Sequence, residues 1–319
     1  MRVVVFGSLN LDTTFVVDRQ PAWGETVLAQ AVTVAAGGKG ANQAVAAARV
    51  GAGRVLMVGR VGADASGAFL RSELARDVTD RVGTDLTRPT GGAFILRRPT
   101  GENAIVVAAG ANDGVELDDL ASLEEPEAPT VLVLQLEIPV DVVREALVLA
   151  ASRHWHVVLN AAPARNGADG IIPMANTLVV NEVEASQLVG LPVRNAAEAL
   201  SAGRALLARG PSRVAITLGA QGAVLVTGTG AWRAAAPAVQ VVDTTAAGDA
   251  SVGALAAGIA EGLPEDRLLA LAVAAGSLAT TRAGAQPSLP ARAEAVEVAR
   301  SVVVEVEPAP ERVAEGLPM

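Results

Sequence analysis

A chain of 319 residues that is 51% hydrophobic but only 2% aromatic must build its core from Ala, Val, Leu and Ile. That suits an α/β sheet covered by helices and leaves no aromatic platform for stacking single-stranded nucleic acid. A formal net charge of -9 with no basic stripe disfavours a nucleic-acid partner, and the absence of cysteine, with His154 and His156 the only histidines, excludes disulfide frameworks and Cys/His zinc sites.

In chain order, the apolar run Val3 to Gly7 is followed at once by Asn10 and Asp12, so it reads as a first strand and not as a signal-peptide core. Asn10 and Asp12 then stand just past a buried strand, at the carboxyl edge where open α/β sheets hold ligands. Residues 12–35 read as strand after strand without a helix. The segment Ala36-Gly37-Gly38-Lys39-Gly40-Ala41-Asn42-Gln43 leads into a helix running to about Val50. Its glycines allow close backbone approach to a ligand and the helix start offers amide donors, although such a loop is also a common turn. Lys39, the only lysine in the chain, favours the site reading, because a compact ammonium is used where arginine serves everywhere else. Spacing and the following Gly40 rule out a Walker A loop.

Short β-branched runs follow at 55–58, 131–134, 157–159, 178–180 and 214–217, mostly separated by stretches of helical length and period. The alternation predicts a central, mostly parallel sheet with helices on both faces. Residues 92–112 break it, with hairpin signals at Arg98 to Asn103. Together with 12–35 they are expected to form a small β-sheet lid. The large domain is then 1–11, 36–91 and 113–319.

Glu137 follows the run at 131–136 as Asn10 follows the first strand, and either is a candidate to bind sugar hydroxyls or an ordinary loop residue. His154 and His156 flank Trp155 and read as structural. Asn181 and Glu184 either hold Mg²⁺ near ATP phosphates or belong to a helix N-terminal turn enriched in acids for the dipole. Thr217-Leu218-Gly219-Ala220-Gln221-Gly222 suits nucleotide contact or a turn. At 243–249, a loop of small residues between Asp243 and Asp249 precedes a helix from Ala250 to about Glu261. Asp249 is there a candidate base for phosphoryl transfer, or a helix cap. The apolar stretch Leu268 to Thr281 is too short to span a bilayer, so a cytoplasmic enzyme without membrane contact is expected. The last fifteen or so residues, rich in Pro and Glu, read as a loosely held tail.

With these residues assembled, the chain resembles the PfkB, ribokinase-like carbohydrate kinase family over nearly its whole length. GSLNLD at 7–12, GGKGANQAVAAAR at 37–49, GENAIVVAAGAN at 101–112, QLE at 135–137, NAAPAR at 160–165, NEVE at 181–184, TLGAQG at 217–222, DTTAAGD at 243–249 and GAQPS at 284–288 occur in the family's order. The resemblance implies a ribokinase-like doubly wound, mostly parallel sheet with helices on both faces plus a β-sheet lid, and a homodimer formed through the lids. It implies ATP-dependent phosphorylation of D-ribose at the 5-hydroxyl; 2-deoxyribose, fructose, a nucleoside, or a sensor without catalysis are the competing readings. Asn10, Asp12, Gly38, Lys39, Gly40, Ala41, Asn42 and Glu137 would hold the sugar, with Asp249 as the base and Ala246, Ala247 and Gly248 as an anion hole. Asn181, Thr217, Leu218, Gly219, Ala220, Gln221, Gly222, Gly248 and Val273 would contact ATP, and Glu184 would organise Mg²⁺ through water. Asp243, Thr245, Ala279, Arg282, Gly284 and Ser288 match a K⁺ site, partly through backbone carbonyls. Ala247 and Ala250-Ser251-Val252 depart from the residues common in the family, without removing a catalytic group.

Overall fold

The computed structural model describes residues 1–308 apart from 52, 101 and 125–128. The chain begins with β1 (Arg2–Phe6), β2 (Asn10–Val16) and β3 (Ala31–Gly37), then α1 (Lys39–Val50), β4 (Val55–Gly62), α2 (Ala65–Leu74) and β5 (Thr79–Asp85). It continues with β6 (Gly91–Arg97), β7 (Asn103–Ala108), α3 (Leu117–Ala121), β8 (Thr130–Leu134), α4 (Val140–Ser152), β9 (His156–Asn160), β10 (Thr177–Asn181) and α5 (Glu182–Val189). The last elements are α6 (Ala196–Leu207), β11 (Arg213–Thr217), β12 (Ala223–Thr227), β13 (Gly230–Ala234), α7 (Ala247–Glu261), α8 (Glu265–Ala279), α9 (Arg292–Ser301) and β14 (Val304–Pro308).

The large sheet has ten strands in the order β14-β13-β12-β11-β10-β9-β8-β1-β4-β5, parallel from β11 to β5. Central strands are apolar through their middle positions because both faces are covered. Alternate side chains divide between the two layers: Val3, Val5, Val131 and Val133 pack under α1, α2, α7, α8 and α9. Val4, Phe6, Leu132 and Leu134 pack under α3, α4, α5 and α6. From β1 the chain steps outward to β4 and β5, then returns to β8 on the other side. That reversal opens a crevice at the carboxyl ends of β1 and β8, where Asn10 and Glu137 follow.

A second sheet of four strands, ordered β3-β2-β6-β7, grows from the end of β1. Its register sets Asp12, Ala35, Ala93 and Val107 on one face and Thr13, Val34, Phe94 and Val106 on the other.

Four strands have no counterpart in the runs read from sequence. β5, as TDRVGTD, is a polar edge strand whose charges blunt the open edge. The β12–β13 hairpin and β14 extend the opposite edge antiparallel, with Trp232 opposite Val306. The segment expected to be a loose tail therefore begins as a paired strand, and its remainder, 309–319, lies outside the described residues. No strand precedes the loop at 243–249; Val242 N–H and Asp243 N–H instead both donate to the Thr280 carbonyl.

Candidate active site

The glycines at 38 and 40 admit a close approach of the chain's own backbone. A Cβ on Gly38, which has φ 89°, would lie 2.7 Å from the backbone nitrogen of Asn10, and one on Gly40 would lie 2.6 Å from that of Ser8. They let the start of α1 dock against the backbone that leaves β1. The helix's first amides are engaged there: Ala41 N–H donates to Ser8 O (2.9 Å), Gly40 N–H to Ser8 Oγ (3.2 Å) and Lys39 N–H to Glu137 Oε2 (3.0 Å). Glu137 thus caps α1 at its positive end, and the same oxygen accepts from Ser8 Oγ (2.6 Å) and, weakly, Asn10 Nδ2 (3.5 Å). Among the described residues, no hydrogen bond engages Oε1.

Asp249 sits in the first turn of α7, not at its cap, which is Ala246 in the left-handed region at φ 60°. That conformation costs about 1–2 kcal/mol for a residue with a Cβ. Small side chains from 244 to 248 tolerate the tight turn it makes. Neither the Gly248 nor the Asp249 amide enters a hydrogen bond among the described residues, as expected of first-turn donors, and a Cβ on Gly248 would meet open space. The Asp249 carboxylate is buried and accepts from Asn42 Nδ2 (3.0 Å) and Gln43 Nε2 (2.9 Å). Burial pushes its pKa up, while Lys39 and the two amides pull it down. Asn42 Oδ1 is buried without a hydrogen-bond partner among the described residues, so the cleft holds an acceptor open to a hydroxyl or other donor.

Lys39 is raised chiefly by the charge of Asp249, with Glu137 and Glu184 also raising it against burial. It is therefore a firmly protonated ammonium among carboxylates. Asp12, on the sheet face turned toward Glu137 and Asp249, is pushed up to about 7, first by burial and then by those two charges. Its contribution to stability is full below pH 3.8 and is lost as pH rises through about 7, because the folded state binds that proton more tightly. Asp12→Asn is accordingly expected to be more stable than the parent at pH 8, by on the order of 1–3 kcal/mol, with a smaller gap at pH 5. Urea unfolding at the two pH values checks this; equal gaps would mean that Asp12 is not strained by its neighbours.

At the far end of the crevice, Asn181 and Thr217 are register partners at the carboxyl ends of β10 and β11. β10 lies two strands from β8, roughly 10 Å, a span suited to a sugar beside a polyphosphate. Gly219, at φ 53°, has open space around its Cβ position. Asn181 and Glu184 form a reciprocal capping box, Glu184 N–H to Asn181 Oδ1 (2.8 Å) and Asn181 N–H to Glu184 Oε2 (2.9 Å). The cap leaves Glu184 buried and raised in pKa, mainly by desolvation. Among the described residues no three His, Cys, Asp or Glu side chains gather as a metal cage. A lone carboxylate fits Mg²⁺ that keeps water and phosphate ligands. Asp243 ties two segments together, accepting from Thr245 N–H (2.9 Å), Thr245 Oγ (2.6 Å) and Gly284 N–H (3.0 Å). Arg282 turns its guanidinium to Glu294, so only its carbonyl fits a K⁺ site. Ala279 and Ser288 are buried behind the same loop, and Val273 is buried in α8.

His156 lies at the opposite, amino end of β9, its Nε2 3.0 Å from Thr177 Oγ, and burial and Arg213 hold it down to about 4. It is structural, as read. Sequence reasoning passed over Ser8, Gln43, Asn112, Gln135 and Asn160. Asn112 Nδ2 donates to Asn10 Oδ1 (2.8 Å) and Leu9 O (3.1 Å) while its Oδ1 accepts from Leu9 N–H (2.9 Å). Asn10 must then present its N–H₂ to the cleft. The available signal was polar residues inside apolar runs, which Gln43 and Gln135 both are.

The sequence profile of the pfkB family carbohydrate kinases matches residues 1–292. The chain is 36% identical over 299 residues to the ribokinase of Haemophilus influenzae, covering 92% of this chain and 97% of that one. It is 38% identical over 298 residues to the ribokinase of Bacillus subtilis, covering 93% and 98%. Among solved structures it is similar to Arabidopsis thaliana ribokinase complexed with ribose and ATP, with a TM-score of 0.84, 30% identity and coverage of 93% and 98%.

Proposed function

The chain belongs to the pfkB family of carbohydrate kinases, and from that premise we propose that it transfers the γ-phosphoryl group of ATP to the 5-hydroxyl of D-ribose. The reading rests above all on Asp249, a buried carboxylate held by two amides beside the free first-turn amides of α7. Asp249 accepts the hydroxyl proton as the sugar oxygen attacks the γ-phosphorus, and ADP leaves from the opposite side. The anion-hole loop Ala246, Ala247 and Gly248, with the unengaged Gly248 amide, and the ammonium of Lys39 stabilise the charge on the transferred group. Asn10, Asp12, Asn42 and Glu137 bind sugar hydroxyls, with Gly38, Gly40 and Ala41 shaping that wall. Asn181, Thr217, the loop 218–222 and Val273 line the nucleotide end. Mg²⁺ held through water by Glu184 would neutralise phosphate charge, and K⁺ at Asp243, Thr245, Ala279, Arg282, Gly284 and Ser288 would steady the anion-hole loop from behind.

The lid face bearing Val34 (54% exposed), Phe94 (46%) and Val106 (68%) is apolar, which supports a homodimer joined through the lids. Among the described residues no helix is long and apolar enough to cross a membrane, and ATP as donor suits a cytoplasmic setting.

The test is ADP release from Mg-ATP with ribose, 2-deoxyribose, fructose and a nucleoside panel, each in K⁺ and in Na⁺. Ribose is expected to give the highest kcat/KM with stimulation by K⁺, and Asp243→Ala to lose most of that stimulation. Preference for another acceptor would move the assignment within the family, and ribose binding without turnover would make the chain a sensor.

A further inference from the structure

Behind the base, away from the cleft, runs a chain of buried amides that nothing in the proposed reaction uses. Gln43 and Gln135 are wholly buried, and Asn160 nearly so. Gln43 Nε2 donates to Asp249 Oδ1 (2.9 Å) and to Asn160 Oδ1 (3.0 Å), while Gln135 Nε2 donates to Gln43 Oε1 (2.7 Å). Asn160 Nδ2 donates in turn to the Val179 carbonyl (3.1 Å).

A primary amide has a donor end and an acceptor end, so each partner dictates how the next is turned. The Val179 carbonyl can only accept, which leaves Asn160 offering its oxygen to Gln43. Gln135 gives an N–H to the other end of Gln43. Both ends of Gln43 are thereby assigned, and the only group it can present to Asp249 is an N–H. With Asn42 Nδ2 on Oδ2 (3.0 Å), that N–H on Oδ1 holds the carboxylate plane at both oxygens. A carboxylate free to rotate in this cavity would spend part of its time with neither lone pair aimed at the acceptor hydroxyl.

We infer that Gln43, locked in one orientation by Gln135 and Asn160, is a positioning residue that fixes the carboxylate plane of Asp249 toward the acceptor hydroxyl. The inference rests on the phosphoryl-transfer reading and extends it to residues that touch neither sugar nor nucleotide. The network also bridges α1, β8, β9 and α7, so a purely structural role is the alternative. The ionisable groups facing Asp249 are Lys39 from α1, Glu137 after β8, Glu184 from α5 and Asp12 from β2. None of them contacts Gln43 or Gln135 through a hydrogen bond among the described residues, so changing the amides leaves that field in place.

The experiment compares Gln43→Met, Gln135→Met and the double variant, since methionine keeps length and removes the polar end. Gln43→Met is expected to lower kcat about 10- to 100-fold, the value of one hydrogen bond to a charged group, with the sugar KM little changed. Gln135→Met should give a smaller loss, and the double variant should be no worse than Gln43→Met, because Gln135 acts only through Gln43. The titration of Asp249, followed by carboxyl ¹³C NMR on the ligand-free protein and assigned with Asp249→Asn, should move upward in Gln43→Met. Additive losses, a raised sugar KM at unchanged kcat, or an unmoved titration would overturn the inference. The NMR arm needs no turnover, so a parent protein inactive on ribose would count against the proposed acceptor alone. If Gln43→Met does not fold, Gln135→Met carries the same readouts without touching Asp249.

Discussion

Asp249→Ala is expected to lower kcat by about 10²–10⁴ while leaving the sugar dissociation constant nearly unchanged. Asp249 is the one carboxylate in the cleft that lies at the start of α7, where the unengaged Gly248 amide and open space leave room for a phosphoryl group. Truncation removes the proposed proton acceptor and also the counter-charge that does most to raise Lys39. Asp249→Asn keeps the volume and so separates lost basicity from lost packing; both variants should be comparably inactive. Asn10, Asp12 and Glu137 stay in place, so sugar binding measured by calorimetry should persist. Phosphorylation of ribose at the parental rate by either variant would remove Asp249 from the mechanism.

The second large effect is expected at Lys39. It is the only lysine of the chain, and the carboxylates of Asp249, Glu137 and Glu184 act on it. Lys39→Met should lower kcat by about 10²–10³, the cost of losing one preorganised charge on the transferred group. A second consequence has a definite sign. Lys39 is the principal influence holding Asp249 down against burial, so its removal lets that pKa rise. The acidic limb of kcat should therefore shift to higher pH, and part of the loss should be recovered by assaying above pH 8. Lys39→Arg should not rescue, because a planar guanidinium does not fit a buried site shaped for an ammonium. A pH profile superimposable on the parent's would show that Lys39 does not act on the base.

The small sheet and the large sheet were legible from the chain because both announce themselves by local period. Strands of apolar run length alternate with helices in one domain, and hairpin signals without helices mark the other. β5 and β14 escaped notice because their composition is that of exposed edges, TDRVGTD and VEVEP, in which polarity hides the strand. The helix of Asp249 was placed three residues late because a left-handed alanine at 246 carries no compositional mark.

The candidate site residues could be named from sequence, since Lys39, Asn42, Glu137, Asp243 and Asp249 each lie in a motif a few residues long. What those residues do to one another did not. Asn42 meets Asp249 across 207 positions, Gln43 meets Gln135 across 92, and Asp243 meets Gly284 across 41. Such contacts depend on strand order and on which face a side chain takes, which no local period encodes. The glycines at 38 and 40 show the same division. That they mark a close approach was readable from their type, whereas the approach of the backbone of 7–10 was decided only when α1 packed against the end of β1.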